Sequence, residues 1–401
     1  MPITVDQALL THTAGQARKH TTPSAPPTTV PVIEAIATGA PDLVLHQSDA
    51  ADWMAGHFTD PEQQARIRRI FNKTMISTRR FAVDPRDPRL HAPGGTPATI
   101  EDRMHLFYRH AVPLAVDVAR RALDGIDPND LGLLVFATST GIIAPGVDAA
   151  VVEHLGLPRS VARLVVNFMG CAAAMNGIRA ASDFVQANPG KKAMVLCIEL
   201  NSVHAAPVEN VNDAVTHSLF GDGCGAIVIG AHPAAEQAEA GTIVIRDNFT
   251  HLFEATEDGI AVGVNHDGIK CELSENVPQY IYNGVAPAIG DVLHRTGLQK
   301  IDIDAWAIHP GGPKILLESA RSLGLTPEAA STSWKVLDEY GNMSSVSLIF
   351  VLERITNPAG ANKPISTGIA FSFAPGVTIE GLVFDVAHRR SRCALRLNRA
   401  S

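Results

Sequence analysis

The chain has 401 residues, 46% of them hydrophobic and 18% charged, with a formal net charge of -8. That length exceeds what one hydrophobic core usually serves, so two halves are expected, and the acidic balance excludes a general nucleic-acid binder, which must concentrate positive charge. No apolar run reaches the roughly 20 residues of a membrane span, and Asp6, His12, Gln16 and Arg18 occupy the place of a secretory apolar region, so the expectation is a cytoplasmic protein.

Residues 1–30, which include "HTTPSAPPTT", cannot bury enough apolar area to offset ordering entropy and read as a flexible arm. Next, "QQARIRRIFNKTM" sets Arg66, Arg69 and Lys73 on one helix face; surface solvation explains most such runs, and a grip on phosphate is the functional alternative. Helical spacing covers 101–125, with Pro113 expected to kink the helix or begin a new turn. Short apolar strands are predicted at 131–139, 162–169, 192–199, 225–231, 304–310, 364–373 and 379–387. Between them, 283–298 and 313–325 read as helices, giving an α/β class. "GDGCGAIVIGA" and "FAPGVTIEGLVFDVA" each close a half, so the expected division is 31–235 and 236–390, followed by a basic tail at 391–401.

Five cysteines, scattered and without a CxxC pair, give neither a disulfide framework nor a zinc site. Cys197 and Cys224 lie in apolar runs and read as small buried hydrophobes. Cys171 differs. In "VVNFMGCAAAMNG" it falls at a strand-to-helix turn, where unpaired N–H groups favour a thiolate, although a buried structural cysteine fits that stretch equally well. His309 ends an apolar strand in "WAIHPGGPK", and Asn342 precedes a buried helix in "GNMSSVSLIFVLE", where a lone Asn is usually an N-cap. No metal constellation and no GxGxxG after a strand stand out, so neither a metal nor a dinucleotide cofactor is expected.

The segments "NFMGCAAAMNG", "HSLFGDGCGA", "AIHPGGPK", "GNMSSVSLIFVLE" and "FAPGVTIEGLVFD" resemble the motif series of type III polyketide synthases, the chalcone synthase family, in order and spacing over residues 31–390. "CIELNSVHA" with "GVNHDGIKCELSENVP" most resembles the mycobacterial branch that makes long-chain alkylpyrones. The resemblance implies a thiolase-like fold, internally duplicated in α/β/α/β/α layers, and a homodimer. It implies that Cys171 accepts an acyl group from coenzyme A, while His309 partners its thiolate and, with Asn342, holds the oxyanion. Phe220 becomes the aromatic gatekeeper, and Cys271 stands where a second Phe is usual, which widens the passage.

The same resemblance assigns Ser139, Thr140, Ala144, Asn201, His204 and Ser344 to the substrate pocket, and Arg66, Arg69 and Lys73 to the phosphates of coenzyme A. Ala144 replaces a methionine contributed across the dimer, and the amide of Asn201 needs a hydrogen-bond partner if it faces an acyl chain. In the loop Phe373, Ala374, Pro375 and Gly376, Ala374 replaces a glycine, at an energetic cost if that position has positive φ. The implied substrates are acyl-CoA and malonyl-CoA, with no separate cofactor, and the implied product of iterative decarboxylative condensation is an alkyl α-pyrone. Alternatives are an alkylresorcinol-forming synthase, a ketoacyl-carrier-protein synthase III-like enzyme, a cysteine acyl hydrolase, and a catalytically silent acyl-binding protein.

Overall fold

The computed structural model describes residues 29–87, 90, 98–205, 211–233, 241–265, 268–356 and 365–387. Of the expected 1–30 arm only Thr29 and Val30 are described, and they begin a strand; the 391–401 tail and the boundary near 235 lie outside the described residues.

The first half contains β1 (Thr29–Gly39), β2 (Leu43–His46), α1 (Gln47–Ala55), α2 (Pro61–Asn72), β3 (Thr78–Phe81), α3 (Ile100–Ala122), β4 (Leu131–Thr138), α4 (Val147–His154), β5 (Ala162–Asn167), α5 (Ala173–Ala187), β6 (Lys192–Leu200), α6 (Val211–Leu219) and β7 (Asp222–Pro233). The second contains β8 (Ile243–Leu252), β9 (Ile260–Asn265), β10 (Gly268–Leu273), α7 (Val277–Thr296), β11 (Ala305–Ile308), α8 (Pro313–Leu323), α9 (Ser331–Tyr340), α10 (Ser347–Thr356), β12 (Thr367–Ala374) and β13 (Thr378–Val386).

Strands that are apolar at nearly every position must be covered on both faces, and these are. In β4, Leu133, Val135 and Ala137 enter an inner core, whereas Leu134 and Phe136 enter an outer one. The inner core packs α5 and α10 between the two halves, with Cys197 buried among them. Outside it, α3 and α4 cover the first half, and α7 and α8 cover the second. The result is the expected α/β/α/β/α layering. The strands run in the order β11-β12-β13-β8-β1-β7-β6-β4-β5, and β1 meets β8 only at Val32–Val244 and Ile33–Ile243, so two half-sheets share a narrow seam.

Helix α3 departs from expectation. It begins at a Thr99–Asp102 capping box and runs through Pro113 to Ala122 without a new start. Pro113 and Arg109, whose carbonyl loses its N–H partner, both face solvent, while Phe107, Ala111, Ala115 and Val118 are buried and hold the helix in place.

Candidate active site

Cys171 owes its position to a sharp reversal after β5, where Phe168 and Gly170 adopt φ of 60° and 54°. Residues 170–172 form one 3₁₀ turn that leads into α5, so the sulfur stands before a helix N-terminus. A Cβ at Gly170 would lie 3.3 Å from Pro375, so this glycine also admits the 373–376 loop behind the turn. Ser372 Oγ donates to the Cys171 carbonyl at 2.8 Å and ties the turn to β12.

His309 follows β11 and donates its backbone N–H to Phe371 at 2.9 Å, continuing the parallel pairing with β12. Asn342 follows Gly341, whose φ of 69° ends α9 and where a Cβ would lie 2.6 Å from the Leu219 carbonyl. Its backbone bonds to Leu219 and Gly221 fix it beside Phe220. The expected N-cap role is not met, because the residue capping the 344–346 3₁₀ turn is Met343, without a side-chain cap bond; Asn342 Oδ1 instead accepts the Ser344 N–H two residues on at 2.9 Å, an Asx turn. That bond orients the amide, and Nδ2 donates to the Gly311 carbonyl at 3.2 Å while standing 4.0 Å from Cys171 Sγ. Three separate elements thus deliver Cys171, His309 and Asn342 to one cavity of about 1250 Å³.

Burial first, then the Cys271 thiol and Glu199, push the Cys171 thiol above its ordinary range, and Asn342 pulls it back. Burial holds His309 down at about 3, with Asn342 opposing. Neither charge is stable alone, so charging the pair means passing one proton from Sγ to the ring. Both ring nitrogens of His309, and Ser139 Oγ, are buried without a hydrogen-bond partner among the described residues. Buried polar atoms are rarely left so, and these face space that a ligand can fill.

Around this centre, Ser139, Thr140, Asn201, His204 and Ser344 line the cavity. Asn201 Nδ2 donates to Gly221 at 2.6 Å, which satisfies the amide. His204 accepts the Ile269 N–H at Nδ1 (3.2 Å), so Nε2 carries the proton and donates to Thr140 at 2.7 Å. Burial holds this ring down at about 4. Ala144 is exposed and off the lining of this chain's cavity. Phe373 is on the lining, whereas Ala374, Pro375 and Gly376 stand behind it. Ala374 pairs with Thr378 as ordinary strand and is not among the positive-φ residues, so the strain considered for it does not arise. Lys73 reaches the lining; Arg66 and Arg69 are exposed on α2 away from it.

Phe220 and Cys271 both line the cavity. Arg79, buried between Phe71 and Phe81, donates from Nη1 to the carbonyls of His217 (2.6 Å) and Phe220 (2.8 Å). Its Nε bonds Gln47, whose amide reaches the Ser218 carbonyl at 2.7 Å. Together these side chains satisfy the last carbonyls of α6 and fix Phe220.

Sequence reasoning passed over Arg79 and also Glu199. The latter is fully buried on β6 and accepts from Ser345 Oγ at 2.6 Å and from the Ser139 N–H and Thr140 Oγ1 at 2.9 Å each. Burial pushes it up to about 7, against these hydrogen bonds. A lone acid in the apolar strand "KAMVLCIEL" was the available signal.

The chalcone and stilbene synthase N-terminal domain family matches residues 20–233, and the corresponding C-terminal domain family matches 246–387. The alpha-pyrone synthesis polyketide synthase-like Pks18 of Mycobacterium tuberculosis is 58% identical over 369 residues, covering 92% of this chain and 94% of the relative. PKS-I of the brown alga Ectocarpus siliculosus superposes with a TM-score of 0.83 at 41% identity, covering 90% of this chain and 99% of that one. The C-terminal type III polyketide synthase domain of Steely1, a type I/III hybrid from Dictyostelium, gives 0.81 at 28% identity, covering 89% and 99%. Among the described residues no helix is long and apolar enough to cross a membrane. The chain belongs to the chalcone and stilbene synthase family, the type III polyketide synthases.

Proposed function

We propose that this chain loads an acyl group from acyl-CoA onto Cys171, extends it with malonyl-CoA and releases an alkyl α-pyrone. Proton transfer to His309 makes the thiolate, which attacks the acyl-CoA carbonyl and expels the coenzyme A thiol. Malonyl-CoA then loses carbon dioxide, and His309 with Asn342 Nδ2 receives the enolate oxygen. The carbanion attacks the acyl thioester, Cys171 leaves, and the lengthened coenzyme A thioester reloads the sulfur. After two extensions an enol oxygen of the triketide closes on the thioester carbonyl and frees coenzyme A.

The observation that carries this reading is the set of unpartnered buried atoms on His309 and Ser139, facing the cavity that holds Cys171 and Asn342. The 58% identity to a protein named for alpha-pyrone synthesis supports the product class. The volume of about 1250 Å³ exceeds that of pockets for drug-sized ligands, roughly 300–1,000 Å³, and suits a long acyl chain beside a pantetheine arm.

A second copy of the chain suits the β5 edge of the sheet, where Leu164 and Val165 are 41% and 50% exposed. Ala144 and Ile142 are exposed in the loop after β4, the strand paired with β5, and a homodimer would cover them.

Mass spectrometry of products from a panel of acyl-CoA starters with malonyl-CoA, without carrier protein, tests the reading. Alkyl α-pyrones are expected. Free fatty acid with no malonyl-CoA consumed would replace it with a hydrolase, and alkylresorcinols, which need a third extension, aldol closure and loss of carbon dioxide, would change both the extension count and the ring closure.

A further inference from the structure

The wall of the cavity that carries Cys271 is the β9–β10 hairpin, a two-stranded sheet apart from the nine-stranded one. Such a hairpin is marginal alone, so its place depends on what ties it to the rest of the chain. At its open end, Ile260 accepts the Gly376 N–H at 3.0 Å. Nearer the turn, Ile269 on β10 gives its N–H to Nδ1 of His204 at 3.2 Å. Cys271 pairs with Val262, between the two ties.

The ring that receives this bond is itself built in. His204 ends the 3₁₀ turn Asn201–His204, which follows β6. Arg103 on α3 is wholly buried and donates from Nη1 to the carbonyls on either side of that residue, Val203 at 2.7 Å and Ala205 at 2.8 Å. At the far edge of the ring, Nε2 donates to the Thr140 carbonyl at 2.7 Å. Thr140 Oγ1 is in turn bonded to Glu199 at 2.9 Å and accepts the Leu200 N–H at 3.0 Å, so the anchor is fixed to the ends of β4 and β6. Accepting at one nitrogen while donating at the other requires the neutral ring, and burial keeps it so. The backbone of β10 lies against both side chains. Gly268 has φ of 134°, and a Cβ there would stand 3.0 Å from His204 Nδ1 and 3.2 Å from Arg103 Cδ.

We propose that Arg103 and His204 form a dock for β10, and that His204 is through this dock a positioning residue: it fixes where the Cys271 wall stands and so how sharply the cavity discriminates acyl chains by length. The assignment rests on the function proposed above for its class of substrate. It does not require the imidazole to touch the acyl chain, because the ring acts through the Ile269 N–H.

Three variants test the dock. His204→Phe keeps the bulk of a ring without either hydrogen bond, Gly268→Ala crowds the dock from the strand side, and the amide of His204→Gln can still accept and donate. Hydrogen exchange at Ile269 should be about tenfold or more faster than in the parent for the first two and close to the parent for His204→Gln. Titration calorimetry with unreactive S-alkyl coenzyme A thioethers, from hexyl to octadecyl, reads the discrimination without chemistry. The spread of affinities across that series should flatten about tenfold in His204→Phe and Gly268→Ala and stay near the parent's in His204→Gln. Parent-like exchange in His204→Phe overturns the dock. Faster exchange with an unchanged spread overturns the positioning role and leaves a structural bond, and a flattened spread in His204→Gln with parent-like exchange means that the ring meets the chain directly, which overturns it too. Should His204→Phe fail to fold, Gly268→Ala carries the same comparison. If the parent binds the thioethers but makes no pyrone from acyl-CoA and malonyl-CoA, the proposed function fails while both readouts still decide the role of His204.

Discussion

Asn342 performs two jobs with one amide, and they can be separated by measurement. Oδ1 satisfies the Ser344 N–H, which is structural, while Nδ2 is the donor offered to charge near Cys171. Asn342→Ala should lower kcat for extension about 100-fold or more, the usual loss for one oxyanion donor, and lower stability by about 1 kcal/mol through the lost Asx-turn hydrogen bond. Lost stability with kcat intact would leave only the turn bond. Glu199 gives a pH-dependent signature. It is held at about 7 against an ordinary 4.5, so between those values the folded protein keeps a proton that the unfolded chain has released. Stability therefore falls as pH rises through that window. Glu199→Gln cannot titrate, so its stability relative to the parent should rise between about pH 5 and about pH 8, by on the order of 3 kcal/mol in denaturant titrations. A pH-independent difference would refute the buried-acid assignment. Cys171, His309 and Asn342 were legible as candidates because glycines mark the turns that present them.

Element ends, more than element interiors, set the geometry of this site. The last carbonyls of α6 are satisfied by Arg79 and Gln47, from a different part of the chain, and Phe220 is fixed by the same guanidinium. Burial lowers Arg79 to about 9, which leaves it charged at neutral pH, with Asp222 opposing the shift. Arg79→Met should cost about 3 kcal/mol in denaturant unfolding, because carbonyls of α6 lose their buried donor, whereas a surface arginine would cost about 0.5 kcal/mol or less. A surface-like value would show that water replaces the guanidinium. Nothing in "TRRF" distinguishes the buried Arg79 from its less buried neighbour Arg80, since only tertiary packing brings α6 to it. Strands apolar on both faces, such as β4 and β6, were legible from composition. The β9–β10 hairpin was not, because residues such as Val264, Lys270 and Glu272 are exposed and give no buried stripe. Pro113 misled for a related reason: a helix-breaking residue is tolerated where its missing hydrogen bond faces water.

Across the whole molecule, the two half-sheets meet at a narrow seam, and the residues proposed to react gather from both. Cys171 leaves the first half after β5, while His309 and Asn342 leave the second after β11 and α9. The exposed β5 edge lies next to this centre in sequence, so the dimer proposed to use it would place its contacts on the strand that leads to the cysteine turn. Val165→Lys should convert a dimer to monomer in light scattering; an unchanged mass would move the interface elsewhere. The layered class was legible because strands and helices alternate in sequence, whereas the seam was not, because two residue pairs leave no pattern.

In the proposed reaction the acyl chain is carried on Cys171, and His309 takes its proton. Incubation with acyl-CoA in the absence of malonyl-CoA, followed by peptide mass spectrometry, should place the acyl group on Cys171 in the parent. The same adduct should form far more slowly in His309→Gln and be absent in Cys171→Ala. An adduct on Cys271, or one on Cys171 that forms at the parent rate without His309, would contradict the account.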